Sequence, residues 1–422
     1  MGPGVIDIDL TDLDRFAEGF PHDDFDRLRR EAPVWWHEAT EHTPDGVGFW
    51  VLSRHADVLA VASDAATFSS ERAPGCPGGG TIIEDLPYGL ASGVLLNMTD
   101  DPRHHRLRRL CTPALAPRVL AEIEPNLRAR TAAILDSISE GGECDFLSEV
   151  AVELPIQATC QLLGVPEADR HQLVRWTNAT LTYEGRELGE RSAEAEQAQA
   201  SMAAYGADVI ARKRREPADD LLTRMVQAEV PDDEGVDRAL SDQELHMFFS
   251  LMVAAGSETT RNAIALGVAA LIEHPDQWRL LEADPDLIPS AAEEILRWTS
   301  PTLYNRRTAT RESRLGTERI AAGDKVTLWW TSADFDEEVF EDPFRFDVRR
   351  SPNPHVAFGY KAHFCLGAAL ARMEIRLMLQ EVLARFEDLE LAGPLRRART
   401  NKHAGVCSMP VAFRRRARAV PA

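Results

Sequence analysis

Residues 358–372 read Phe-Gly-Tyr-Lys-Ala-His-Phe-Cys-Leu-Gly-Ala-Ala-Leu-Ala-Arg. Gly359 and Gly367 flank a cysteine, and Leu370, Met373 and Leu377 then recur at the spacing of one helical face. Cys365 therefore stands just ahead of a helix N-terminus, where unpaired N–H groups and the macrodipole favour a thiolate. Shielded by Phe358 and Phe364, such a thiolate suits a metal that must receive electron density from sulfur. A single cysteine ahead of a helix is also a common buried structural thiol. His363, two residues earlier, has the spacing of any surface histidine. Neither residue decides the matter alone.

A long helix precedes this loop. Ser241 followed by Glu244 is a capping-box start, and Pro275 stops the segment. Such a helix runs on the order of 50 Å and must cross the interior. It is almost wholly apolar from Met247 to Gly256, then turns abruptly to Ser257-Glu258-Thr259-Thr260-Arg261-Asn262. Those groups are costly to bury unless paired or used. Gly256, with a threonine hydroxyl three residues later, is expected to let the backbone ladder open and a ligand approach. A helix simply leaving the core at residue 257 explains the same pattern.

The 422 residues, 44% hydrophobic and 27% charged, have ordinary globular composition. No Pro/Gly/Ser linker divides them, so one domain over 1–422 is expected. A net charge of −21 speaks against nonspecific nucleic-acid binding. Cys76, Cys111, Cys144, Cys160, Cys365 and Cys407 form no CxxC pair, a pattern of reduced cytosolic thiols rather than of disulfides or a zinc site. There is no run of roughly 18 uncharged apolar residues, and MGPGVIDIDLTDLD lacks a basic or apolar leader. No membrane anchor or secretion signal is expected, and the location expected is cytoplasmic.

Strands are expected near both ends, at 34–39 with 48–53, at 318–330 as a pair turning at Gly323-Asp324, and at 400–413 as a late hairpin. The polar 166–228 stretch reads as surface helices, PGCPGGG at 74–80 as a flexible loop, and RRRAR at 414–418 as a solvated end.

The cysteine loop resembles the signature Phe-Gly-x-Gly-x-His-x-Cys-x-Gly of the cytochrome P-450 family, and its companions occur in the family's order. Ala255-Gly256-Ser257-Glu258-Thr259 is similar to the oxygen-activation motif, and Glu294-Ile295-Leu296-Arg297 to the Glu-x-x-Arg of the next helix. Pro343-Phe344-Arg345-Phe346 resembles the segment whose arginine completes that ion network. DDPRHHRLRR at 100–109 resembles Asp-Pro-Pro-Glu-His-Thr-Arg-Leu-Arg, and Arg307 falls where a further propionate arginine is usual. The resemblance covers about residues 20–413. One departure stands out: Lys361 occupies a glycine position that often needs a permissive backbone.

The resemblance implies a mainly α (α+β) fold, with a β-rich N-terminal part at about 20–70, a helical core at about 100–300 and the cysteine loop at 358–367. It implies haem b, with Cys365 on the iron and His104, Arg108, Arg307 and His363 on the propionates. Glu294, Arg297 and Arg345 are expected as a structural ion network. Thr259 and Glu258 are expected to deliver protons for O–O cleavage. The implied reaction inserts one oxygen atom from O2 into an apolar small molecule, most simply by C–H hydroxylation. Electrons would come from NAD(P)H through a ferredoxin reductase and a ferredoxin, since the chain has no room for a fused reductase. Phe248, Leu251, Met252, Ala255, Leu303, Asn305 and Val406 are the expected pocket. The run GSETTRNAI resembles members that oxidise terpenes and steroids. A haem-thiolate sensor would share Cys365 without needing Glu258-Thr259, while aryl coupling or peroxide-driven oxidation would leave the sequence looking the same. Arg103, Arg106, Arg109 and Arg118, with Lys361, Arg372 and Arg376, are expected to form a basic island that docks an acidic ferredoxin, unless the protein's own acids pair with them.

Overall fold

The capping box forms: Ser241 Oγ accepts from the Glu244 N–H at 3.3 Å, and Glu244 Oε2 accepts from the Ser241 N–H at 2.7 Å. It starts a helix of 32 residues, Asp242–Glu273. The computed structural model describes residues 8–138, 142–181, 187–188, 190, 192–231 and 235–416. Helices Glu153–Leu163, Ala193–Arg215, Ile288–Thr299 and Ala368–Arg385 pack around this central helix, and Pro117–Ser137 packs on the last of them. Most of the buried apolar side chains belong to the one core they share.

Two glycines set how closely the helices approach. A Cβ on Gly256 would lie 2.5 Å from Thr159 Oγ1, and one on Gly267 would lie 2.6 Å from the Ile295 side chain. Gly256 thus serves a helix crossing, and the ladder does not open there as expected. The Ser257 and Thr259 hydroxyls instead donate back to the carbonyls of Val253 at 2.6 Å and Ala255 at 3.0 Å within an unbroken helix.

Five strands form the larger sheet, in the order Val34–His37, Phe49–Leu52, Lys325–Trp329, Tyr304–Ala309, Phe68–Ser69. Only the pairing of Phe49–Leu52 with Lys325–Trp329 is parallel. The expected hairpin at 318–330 is corrected: Glu318–Ile320 pairs with Ser313–Leu315, while Lys325–Trp329 turns away at Gly323 to join the sheet. Both strands were marked by composition, but the partner lies outside the window that suggested the pair.

The late hairpin is also shifted. Its arms are Arg396–Arg397 and Val406–Ser408, whereas Pro410–Arg415 pairs with Phe386–Leu391 and Glu143–Asp145. Within the 74–80 loop, Gly78 and Gly79 are buried and pair with Leu86–Pro87; a Cβ on Gly79 would collide with the Glu71 carbonyl oxygen. The tail is bound rather than solvated as far as described: Arg415 donates to the carbonyls of Leu135 and Ile138 at 2.9 and 2.8 Å, and Arg416 pairs with Glu282. Residues 417–418 lie outside the described residues. Among the described residues no helix is long and apolar enough to cross a membrane.

Candidate active site

A cavity of about 890 Å3 lies between the central helix and the cysteine loop. Phe358, Cys365 and Leu370 line it from the loop side, and Ala255, Glu258 and Thr259 from the helix. Cys365 and Ala255 are both exposed, and both line this interior space. The loop is fixed by its own backbone: the Cys365 N–H donates to the Phe358 carbonyl at 2.8 Å, and the Phe364 N–H to that of Lys361 at 3.0 Å. Lys361 sits at φ 55°, so the usual glycine position keeps its left-handed backbone with lysine in place. Phe358 shields the cavity, but Phe364 turns outward and is 38% exposed.

The helix end alone does not make Cys365 a thiolate. Burial pushes its thiol up, against the Gly367 and Ala368 N–H groups and the charges of Arg108 and Arg372, which pull it down. A metal cation bound at this sulfur would supply the missing compensation.

Beside the cysteine is a cluster of basic groups. Arg307 is buried and lines the cavity; burial pushes its guanidinium down to about 10, with Asp100 as the opposing charge. The His363 ring lies 4.1 Å from that of His104, and its Nε2 is 3.0 Å from Ser70 Oγ. Burial, then the positive Arg307, His104 and Arg108, push the His363 imidazole down to about 2. His104 and Arg108, on the helix Arg103–Cys111, stand behind it: both act electrostatically on His363, but neither lines the cavity. Such a group is ready for anions, and the two propionates of a haem are of that chemistry. Sulfur donor, apolar wall and cationic edge together fit a haem.

Glu258 is 3% exposed. Its Oε1 is 3.9 Å from Arg261 Nη2, and its Oε2 is 3.9 Å from His403 Nδ1. Arg261 in turn donates to Asn178 Oδ1 at 2.6 Å.

Of the expected pocket residues, Leu251, Ala255 and Asn305 line the cavity, the last held by the Trp330 Nε1–H at 2.8 Å. Phe248 and Met252 do not: the lining stripe runs through Met247, Ser250, Ala254 and Glu258, because the cavity flares toward residues 81–98 and the helix Ala193–Arg215. Leu303 faces a separate smaller cavity, and Val406 is a buried strand residue paired with Arg397, not a hairpin tip. The tip residues that reach the cavity are Lys402 and His403.

The ion network has a different third member. Arg297 binds Glu294 through two bonds of 2.8 and 2.9 Å, both side chains wholly buried. Arg350, not Arg345, completes it, with Nε 3.1 Å from Glu294 Oε2. Arg345 is 65% exposed and 3.8 Å from Asp347, and lends the network only its carbonyl. The chain turns sharply through Asp342 at φ 46°, which carries Arg345 outward and brings Arg350 back. The basic island is largely consumed as well: Arg103 pairs with Glu244, Arg118 with Glu122 and Arg372 with Glu293, while Arg106 donates to the Pro231 carbonyl at 2.7 Å. Arg109 and Lys361 are exposed.

Sequence reasoning missed three cavity residues. Glu374 is buried, which pushes its carboxyl well above the usual range. Its signal was legible as a carboxylate four residues after Leu370 on the apolar face. Lys402 donates to the carbonyls of Tyr304 at 2.5 Å and Thr81 at 3.1 Å, and burial pushes it down to about 7. Neither Lys402 nor His403 had a signal of its own.

Comparison with known proteins agrees with this geometry. The family description "Cytochrome P450" matches residues 156–284 and 286–406. Cytochrome P450 126 of Mycobacterium tuberculosis is 46% identical over 97% of this chain and 98% of its own. A steroid C26-monooxygenase of Rhodococcus jostii is 35% identical over 96% of this chain and 84% of its own. A Mycobacterium marinum cytochrome P450 solved in complex with pseudoionone superposes with a TM-score of 0.86 at 36% identity, covering 96% of this chain and 98% of that one. With a thiol and a basic cluster around one cavity, and with relatives matched along nearly its whole length, the chain belongs to the cytochrome P450 family of haem monooxygenases.

Proposed function

We propose that this monooxygenase hydroxylates a C–H bond of an apolar terpenoid or steroid-like molecule, using electrons from NAD(P)H passed by a ferredoxin reductase and a ferredoxin. The observation that carries the reading is the cavity lined at once by Cys365, Arg307, His363 and the Glu258-Thr259 pair, with the His104 ring against that of His363. Cys365 holds the iron, and Arg307, His363, His104 and Arg108 hold the propionates by charge-assisted hydrogen bonds. Bound there, haem supplies the redox chemistry that activates dioxygen. Thr259 orients water through its hydroxyl, and Glu258 supplies protons to it. Leu251, Ala255 and Met247 exclude bulk water and position an apolar skeleton. The residues work in one domain, in the cytoplasm, where NAD(P)H-linked donors operate.

The test is a titration of the ferric holoenzyme with terpenoids, steroids and macrolides, reading the shift of the haem absorption band, followed by product analysis with a ferredoxin system. A saturable shift with terpenoids or steroids and a hydroxylated product is expected. A shift only with macrolides, or a coupled rather than hydroxylated product, overturns the substrate class or the reaction type respectively.

A further inference from the structure

A smaller cavity of about 270 Å3 lies on the other side of the 396–408 hairpin, where His22, Glu273, Thr299, Thr331 and Arg397 are among its lining residues. His403 lines both this cavity and the large one. It does not sit on a loose tip: it bridges to Thr302, the Ala404 N–H donates to the Pro301 carbonyl at 3.0 Å, and the Gly405 N–H donates to that of His403 at 2.8 Å. The imidazole is thus fixed in the partition between two spaces.

His403 Nδ1 and Glu258 Oε2 face each other at 3.9 Å, and neither buried atom has a hydrogen-bond partner among the described residues. Leaving both unsatisfied is costly, and a small rotation or one bridging water satisfies both. In the smaller cavity, the buried Thr331 Oγ1 and His22 Nδ1 are also unpartnered among the described residues. Polar groups of that kind around a cavity are what ordered water bonds to.

We infer that His403 is the residue through which protons reach Glu258: the neutral ring takes a proton on Nε2 from hydronium carried by water in the smaller cavity, and Nδ1 then gives its proton to Glu258 Oε2. One proton enters the ring and one leaves, so the charge is unchanged and no electrons move; the proton left on Nε2 is returned to Nδ1 by exchange through water before the next transfer. Glu258 alone favours the imidazolium. Burial, then Lys402 and Arg261, hold His403 below the ordinary histidine range, with burial the largest influence. His22, Glu273 and Arg397 are the titratable groups on the far side. A ring held neutral accepts a proton and passes it on rather than keeping it. The inference rests on the reading that Glu258 supplies protons for the reaction.

The test uses the holoenzyme in its diamagnetic ferrous carbon-monoxide form, with 15N-labelled histidine. His403→Gln identifies the His403 signal, and Glu258→Gln should then change its tautomer balance and its titration midpoint. The second arm measures turnover in H2O and D2O. His403→Gln should slow turnover about tenfold or more, as loss of a proton donor does, with a larger solvent isotope effect. If Glu258→Gln slows turnover but His403→Gln does not, or if the His403 signal ignores Glu258→Gln, the relay is refuted. If Glu258→Gln itself leaves turnover and isotope effect unchanged, the reading of Glu258 fails instead.

Discussion

Removing the Arg350 side chain should cost far more than removing that of Arg345, although only the latter lies in the Pro-Phe-Arg-Phe segment. Arg350 donates to both Glu294 oxygens at 3.1 and 3.3 Å, and to the carbonyls of Glu341, Asp342 and Arg345 at 2.7, 3.1 and 2.7 Å. Breaking a buried ion pair from one side costs about 3–5 kcal/mol. Glu294 keeps the two Arg297 bonds, the Asp347 N–H at 3.0 Å and Asn353 Nδ2 at 3.1 Å, so the low end applies. Arg350→Ala should therefore lose about 3 kcal/mol. Arg345→Ala, with an exposed pair at 3.8 Å, should lose less than about 1 kcal/mol. Urea unfolding of the ferric holoenzyme, followed by circular dichroism and by the haem band, measures both. An Arg345→Ala loss equal to or larger than that of Arg350→Ala, with unchanged m-values, would refute the assignment.

Four further outcomes follow from the site. Cys365→His should abolish the red-shifted band of the reduced carbon monoxide complex, and its persistence would remove Cys365 as the iron ligand. Thr259→Ala should go on consuming NAD(P)H while releasing peroxide in place of product; full product yield per reducing equivalent would show that the hydroxyl is dispensable. Lys361→Gly should leave stability unchanged or raise it by up to about 1 kcal/mol, because the position has φ 55°; a loss would point to a specific lysine contact. Although burial opposes it, bonds from His355 and Arg372 hold the Glu293 carboxyl down at about 2, below its ordinary 4.5. A depressed carboxyl stabilises the fold above the unfolded value and loses that contribution as pH falls toward the folded one. The stability advantage over Glu293→Gln should thus be full above about pH 4.5 and shrink toward pH 2; equal advantage at both ends of that range in urea midpoints would contradict it.

What the sequence revealed and what it concealed separate by range. Signals carried within one turn or one helix were legible: the capping box at Ser241, the cysteine ahead of its helix, the positive-φ need at Lys361, the Glu294–Arg297 pair at i, i+3. Properties set by distant partners were not. The strand Lys325–Trp329 chose Phe49–Leu52 and Tyr304–Ala309 over its neighbour in sequence. Gly256 answered to Thr159, which is nearly a hundred residues away. Phe248 and Met252 were expected in the pocket beside Leu251 and Ala255, but which side of a helix meets a cavity depends on where the surrounding walls open. His403 and Lys402 became site residues only through a hairpin tip folded back over the central helix.

The strand Tyr304–Ala309 places two adjacent arginines on opposite faces. Arg307 points to the cavity, while Arg306 binds Asp85 at 2.7 Å and the carbonyls of Ile82 and Ile83, each at 3.3 Å. Lys325, on the neighbouring strand, also reaches Asp85 at 3.2 Å and the Ile83 carbonyl at 3.0 Å. Apart from Ile83, residues 81–87 line the cavity on this side, as its rim. Rim and anchor are thus gauged from one ruler. A strand that slips by one residue exchanges its two faces, so it would swap the grip on the rim for the grip on the floor. The dimension from rim to floor is therefore held by sheet register rather than by any loop, and loops at the rim can vary in sequence without changing how deep the chamber is.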